Sequence, residues 1–260
     1  MDYTAEAEEE HRRLDEYAQG RHSELTGIFD DEVQLLVAYE QLVCRATLIL
    51  GTHEPVNAED RVRRDLMADA FDALYVARTV VFQGYASAAW PLMRRALESI
   101  TLFEYFMLLP NEASRWSQGS RITHARVRKY LNKHSIEIGG TTMSDDEKRT
   151  MKELYSQFSE AAHPNRDLIP TRFLGEGNSF ALGAIGMPEP LVVAHYVLSL
   201  INLWFFFAAA VGYAYRELLH SADSLYVRDY LAVAATARQV NEQLHAAWSE
   251  LWQESFGNMD

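Results

Sequence analysis

LVVAHYVLSLINLWFFFAAAVGYAY, residues 191–215, runs for 25 positions without an Asp, Glu, Lys or Arg. A helix of that length spans the hydrocarbon core of a bilayer. A helix that is apolar all round is also what the centre of a helical bundle requires, with neighbours covering every side. His195, Ser199 and Asn202 interrupt the apolar run. No second span follows it, and no cluster of Lys or Arg flanks it to set an orientation in a membrane. The bundle reading takes precedence, and the rest of the chain must then supply the covering helices.

The periodicity supplies them. Val33, Leu36, Val37, Tyr39, Leu42, Val43, Ala46 and Leu50 recur at a spacing close to 3.6 residues and predict a helix over Asp31–Leu50. A Pro55-containing loop follows, and Asn57 or Asp60 is placed to cap the next helix. That helix carries Leu66, Ala70, Leu74, Ala77 and Val81 on one stripe to about Gly84. Tyr85–Leu109 is a third helix, with Pro91 in its early turns and Pro110 at its end. Asn111 is expected to cap a helix from Glu112 to about His134, interrupted near Gly119. Ser144 to Glu147 has the form of a capping box for a helix that Pro164 stops near His163. Between Pro164 and Pro190 the Gly and Pro content rises, and Thr171–Leu174 with Ser179–Leu182 predicts a small hairpin. Two helices, Leu191 to about His220 and Asp223 to about Phe256, close the chain. The expected fold is all-α: a single helical bundle of about seven or eight helices with a short hairpin or irregular insertion near 164–190. Residues 1–22 read as a polar N-terminal helix or tail, and 23–260 as one bundle domain.

Composition narrows the function. The chain has 260 residues and a net charge of −13, so no overall basic excess is available to neutralise phosphates along a duplex, and no DNA is expected as a partner. The run from Arg115 to Lys133 is the one locally basic stretch, which leaves RNA open. Cys44 is the lone cysteine, lies in an apolar helical pattern and reads as core; with no internal disulfide to form, a cytoplasmic location is expected, without a membrane anchor.

Arg94 and Glu98 are one turn apart on an otherwise apolar helix, where a charged pair must find partners or open to a cavity. Ser159, Glu160 and His163 close a later helix. Packed side by side, Arg94, Glu98 and His163 would share a polar pocket. An arginine there holds a phosphate or carboxylate in a bidentate grip, and a histidine moves a proton near neutral pH.

Gly84-Tyr85 with Ala88, Leu92, Arg94 and Glu98, followed by Tyr155, Ser159 and His163-Pro164, resembles an uncharacterised bacterial all-helical family with a G…A…R-x3-E helix before an S-x3-H-P segment. The similarity covers roughly residues 60–170. Such families are distantly similar to HEPN domains, which include metal-independent ribonucleases with an R-x4–6-H motif. The resemblance implies a search for that motif, and Arg128 with His134 fits it, as does Arg238 with His245.

Glu-x-x-His occurs at Glu8/His11, Glu160/His163, Glu217/His220 and Glu242/His245, the spacing that di-iron carboxylate bundles use, with Glu98 or Glu104 as a lone carboxylate. No cofactor is required by any motif, and the metal question stays open at this point. Ala247, Trp248, Leu251, Trp252 and Phe256 form an aromatic stripe suited to a homo-oligomer or protein partner. The expected function is thus a helical binding or interaction protein, with a HEPN-like ribonuclease and a di-iron oxidase-like bundle as alternatives.

Overall fold

The computed structural model describes residues 3–131, 133–134, 137–138, 141–142, 149, 152, 156, 173–174, 179–180 and 190–256. Among them are nine helices: α1 (Tyr3–Ile28), α2 (Asp30–Gly51), α3 (Ala58–Phe82), α4 (Ala86–Leu108), α5 (Pro110–Ser117), α6 (His124–Leu131), α7 (Pro190–Ala214), α8 (Arg216–Ala222) and α9 (Tyr226–Phe256). The fold is all-α, as the periodicity requires. Two antiparallel ladders of two residues complete it. One pairs Phe173 with Phe180 and Leu174 with Ser179, inside the hairpin read from the sequence. The other pairs Glu137 with Thr142 and Ile138 with Thr141 across Gly139-Gly140, a dipeptide that signals a hairpin as well as a helix break. Of the helix expected to start at Asp145, residues 149, 152 and 156 are described and each is helical; its other residues lie outside the described ones.

The apolar stretch is the core. α7 packs against α2, α3, α4 and α9. Val197, Leu200, Ile201, Leu203 and Trp204 are completely buried. By length and composition both Val193–Ala214 and α2 qualify as membrane-spanning, so α2 joins the stretch at 191–215 in this respect. For Val193–Ala214 the bundle itself covers the apolar surface, with 67% of its most apolar window buried. Phe71 of α3 meets Trp204 edge-on at 5.6 Å, and Tyr196 packs on Trp90 of α4 at 4.6 Å. Burial of rings this large dominates the stabilisation, on the order of 2–3 kcal/mol for each side chain.

α3 and α4 form a hairpin of helices packed along their length. Its turn depends on Gly84, whose φ of 91° lies in the left-handed region that disfavours a Cβ. The Gly84 and Tyr85 amides close the α3 end on Val81 and Val80 carbonyls, at 3.0 and 2.8 Å. Across the hairpin, Ser99 donates to Asp69 at 2.6 Å beside the Arg95–Asp69 ion pair.

Three expectations need correction. Cys44 is exposed: the buried stripe of α2 runs through Leu36, Tyr39, Val43, Ala46 and Leu50, and Cys44 falls beside it. Pro110 begins α5 instead of preceding a cap at Asn111; a proline is at home in a first turn, where its missing N–H is not needed. The helix expected over Leu191–His220 breaks at Tyr215 into α7 and α8.

That break coincides with a buried ion cluster. Asp60, at 2% exposure, sits in the first turn of α3 and accepts from the Tyr215 hydroxyl at 2.9 Å and the Val56 amide at 3.2 Å. Arg64 and Arg63 pair with it at 3.0 and 3.3 Å. Arg64 also donates to the Leu50 and His53 carbonyls at the end of α2, both at 2.7 Å. Asn57 caps α3 by accepting from the Asp60 amide at 2.8 Å. One carboxylate thus ties the end of α2 and the start of α3 to the break between α7 and α8. A second tie is Arg45 of α2, which bridges Asp223 at 2.7 Å and Asp229 of α9 at 2.9 Å over the Tyr226 ring.

Burial alone would raise the Asp60 carboxyl, but the Tyr215 and Val56 hydrogen bonds and the Arg64 and Arg63 charges outweigh it and hold it below the ordinary value. A lowered folded pKa stabilises above the unfolded value, about 3.9, and that contribution is lost as pH falls through the folded value. Asp60→Asn leaves two half-buried guanidiniums without their carboxylate. The expected loss is about 3–5 kcal/mol in urea denaturation at pH 7. Stability of the variant should also fall less steeply below pH 4 than that of the parent.

Candidate functional site

The α4 pair forms as the spacing requires. Arg94 Nε donates to Glu98 Oε1 at 3.0 Å. What completes the group comes from α6. The Thr123 hydroxyl accepts from the Arg126 amide at 3.3 Å and starts that helix, which makes His124 its first residue. Val127 is fully buried, and Tyr130 meets Tyr105 of α4 edge-on at 5.4 Å, which fixes α6 on α4. His124 Nε2 then lies 3.5 Å from Glu98 Oε2. Arg128, one turn further along α6, shares the face of His124. Arg126 instead pairs with Glu112 of α5 at 3.1 Å.

Glu98 is therefore shared between Arg94 and His124, with Arg128 close enough to act on the imidazole. Burial is the main reason that His124 is held below the ordinary histidine value. Glu98 opposes it, and the Arg94 and Arg128 charges add to it. The first position of a helix is also unfavourable for an imidazolium. His124 is thus neutral at pH 7. His124 Nδ1 is buried and has no hydrogen-bond partner. Arg94, Glu98 and His124 side chains are 28%, 25% and 28% exposed, so the group lies at the edge of the bundle, within reach of a ligand.

Of the residues read from the sequence, Arg94, Glu98 and Arg128 come together here, and His124 stands where a histidine was sought. His163 lies outside the described residues, as do Ser159 and Glu160. His134 lies past the end of α6, exposed, with its ring against Tyr130 at 4.5 Å. His124 was missed because the helix was expected to run on from Glu112. The signal was present in Thr123-His124, a capping residue and a histidine with Arg128 four positions after the histidine.

The chain matches no protein-family model, no curated protein and no solved structure.

The metal constellation does not assemble among the described residues, where no three His, Cys, Asp or Glu side chains come together. Glu217 and His220 of α8 and Glu242 of α9 are exposed. Arg238 of α9 is exposed, and the side chain of His245 lies outside the described residues.

Glu104 is a different case. It is 8% exposed on α4, with no ion pair or hydrogen bond among the described residues. Burial pushes its carboxyl up to about 7. A raised folded pKa means stability that is fully present below the unfolded value, about 4.3, and declines as pH rises through 7. Glu104→Gln should remove that decline. At pH 8 the variant should be more stable than the parent, on the order of 3 kcal/mol, and at pH 4 nearly equal to it. Urea midpoints across this pH range check the expectation.

Proposed function

We propose that this chain is a helical binding protein that takes an anionic group, a phosphate or a carboxylate, at the α4–α6 face. The observation that supports the reading is the convergence of Arg94 and Arg128 on His124, with Glu98 holding both Arg94 and His124 in place. Guanidinium groups grip such oxyanions in a planar fork and keep their charge at any physiological pH. A homo-oligomer or a protein partner belongs to the same reading. Leu48 of α2 and Leu231 of α9 are 72% and 60% exposed, and α9 carries Trp248 and Trp252 near its end.

Native mass spectrometry of the purified protein tests both parts. The expected spectrum shows an oligomer or complex and a small-anion adduct. Arg94→Gln with Arg128→Gln removes the adduct without dissociating the oligomer. An adduct that survives the double change would refute the site.

A second reading, a HEPN-like metal-independent ribonuclease, is favoured by the neutral imidazole flanked by two arginines, since a neutral histidine accepts a proton from an attacking hydroxyl. It places the proton-transfer group at His124 instead of His134 or His163. It predicts RNA cleavage in the presence of EDTA, lowered at least a hundredfold by His124→Ala. Intact RNA after prolonged incubation with the parent protein leaves the binding reading alone.

A further inference from the structure

Arg64 reaches the Leu50 carbonyl and Arg78 pairs with Glu40, so α2 and α3 lie side by side in opposite directions. Near their joined ends a cavity of about 160 Å³ is lined by Thr47, Leu50, Gly51, Arg64, Met67 and Ala68. Leu50 and Met67 are buried, whereas Thr47, Gly51 and Ala68 are exposed. The cavity therefore reaches from the core to the surface.

Two of these side chains carry polar atoms, and both have them engaged elsewhere. The Thr47 hydroxyl donates to the Val43 carbonyl at 2.9 Å within its own helix, which leaves its methyl group to offer. Arg64 donates through Nη1 to the Leu50 and His53 carbonyls, both at 2.7 Å, and its Nη2 pairs with Asp60 at 3.0 Å. Its Nε is buried. What Arg64 presents to the cavity is its hydrocarbon stem. A charged ligand would lose water here with no group to receive it. An uncharged apolar ligand gains by the same transfer.

Gly51 is the second observation. It ends α2, yet it is not among the glycines with positive φ, which are Gly84 and Gly119. Its backbone thus accepts a side chain, and glycine weakens a helix relative to alanine. A Cβ at this position would meet no atom within 4 Å. The missing side chain keeps the cavity open.

The size then names the ligand. An apolar cavity of about 150 Å³ holds a benzene ring. Met67 brings a polarisable thioether, which packs favourably against aromatic rings. We propose that the α2–α3 cavity is a second binding site, separate from the α4–α6 face, that takes a small uncharged aromatic ligand. It does not depend on the anion-binding reading.

Benzene is the probe, titrated into the full chain with isotope-labelled methionine methyl groups and followed by NMR. The Met67 methyl signal should move and saturate with a Kd on the order of 1 mM, in the range open to so small a ligand. Benzoate and benzylammonium should bind at least about tenfold more weakly, because the cavity wall offers no partner for their charge. Gly51→Leu fills the cavity and should abolish the shift. Gly51→Ala, which suits a helix and adds only a methyl group, should weaken binding and keeps the test intact if the leucine variant fails to fold. A Met67 signal that stays in place up to the solubility limit of benzene overturns the proposal. So does a shift of full size in a folded Gly51→Leu protein. Benzoate bound as tightly as benzene overturns it as well, since a polar partner would then face the cavity.

Discussion

A helix that is apolar on all sides has no stable place except inside other helices or inside lipid, and α7 imposes that constraint on everything else in this chain. Its completely buried residues Val197, Leu200, Ile201 and Trp204 need partners on each flank. α2, α3, α4 and α9 are the helices that meet it. Each is amphipathic, with one apolar stripe turned inward, so the bundle follows from satisfying α7 and the four stripes at once. The near absence of polar groups along α7 leaves packing unspecific in register. Polar ties at its edges supply what hydrophobic burial lacks, among them Asn202 with Asn241 of α9 at 3.1 Å.

The Asp60 cluster shows how such ties are made compatible with burial. A carboxylate at 2% exposure is held by two guanidiniums, a phenol and a backbone amide. It fixes the start of α3, the end of α2 and the break after α7 relative to one another. The Arg94–Glu98–His124 group uses the same chemical components with the opposite emphasis. It sits at a helix edge with a quarter of each side chain open, and one of its ring nitrogens lacks a partner. A carboxylate with both oxygens engaged suits a structural pin, and a ring nitrogen without a partner suits a group that exchanges partners with a ligand.

Glu104 lies between these cases. It shares α4 with Arg94 and Glu98, yet burial places its titration near neutrality without a counter-charge. A helix that carries both a paired and an unpaired carboxylate has its electrostatics set by its neighbours, since Glu98 gains its partners from the next turn of α4 and from α6.

The sequence by itself determined the helices. Apolar periodicity is a local property, and it placed α2, α3 and α4 to within a few residues, along with the 173–180 hairpin and the Arg94–Glu98 pair, which needs only a single turn. The tertiary structure decided what depends on contacts distant in sequence. The break at Tyr215 is set beside a hydroxyl that reaches Asp60, 155 residues away. The exposure of Cys44 depends on which side of α2 faces α7. The meeting of His124 with Glu98 required α6 to restart after the turn at Gly119 and to dock on Tyr105 through Tyr130. A periodic pattern states which face of a helix is buried, but not which helix covers it, and the polar groups at the rim acquire their chemistry only from that choice.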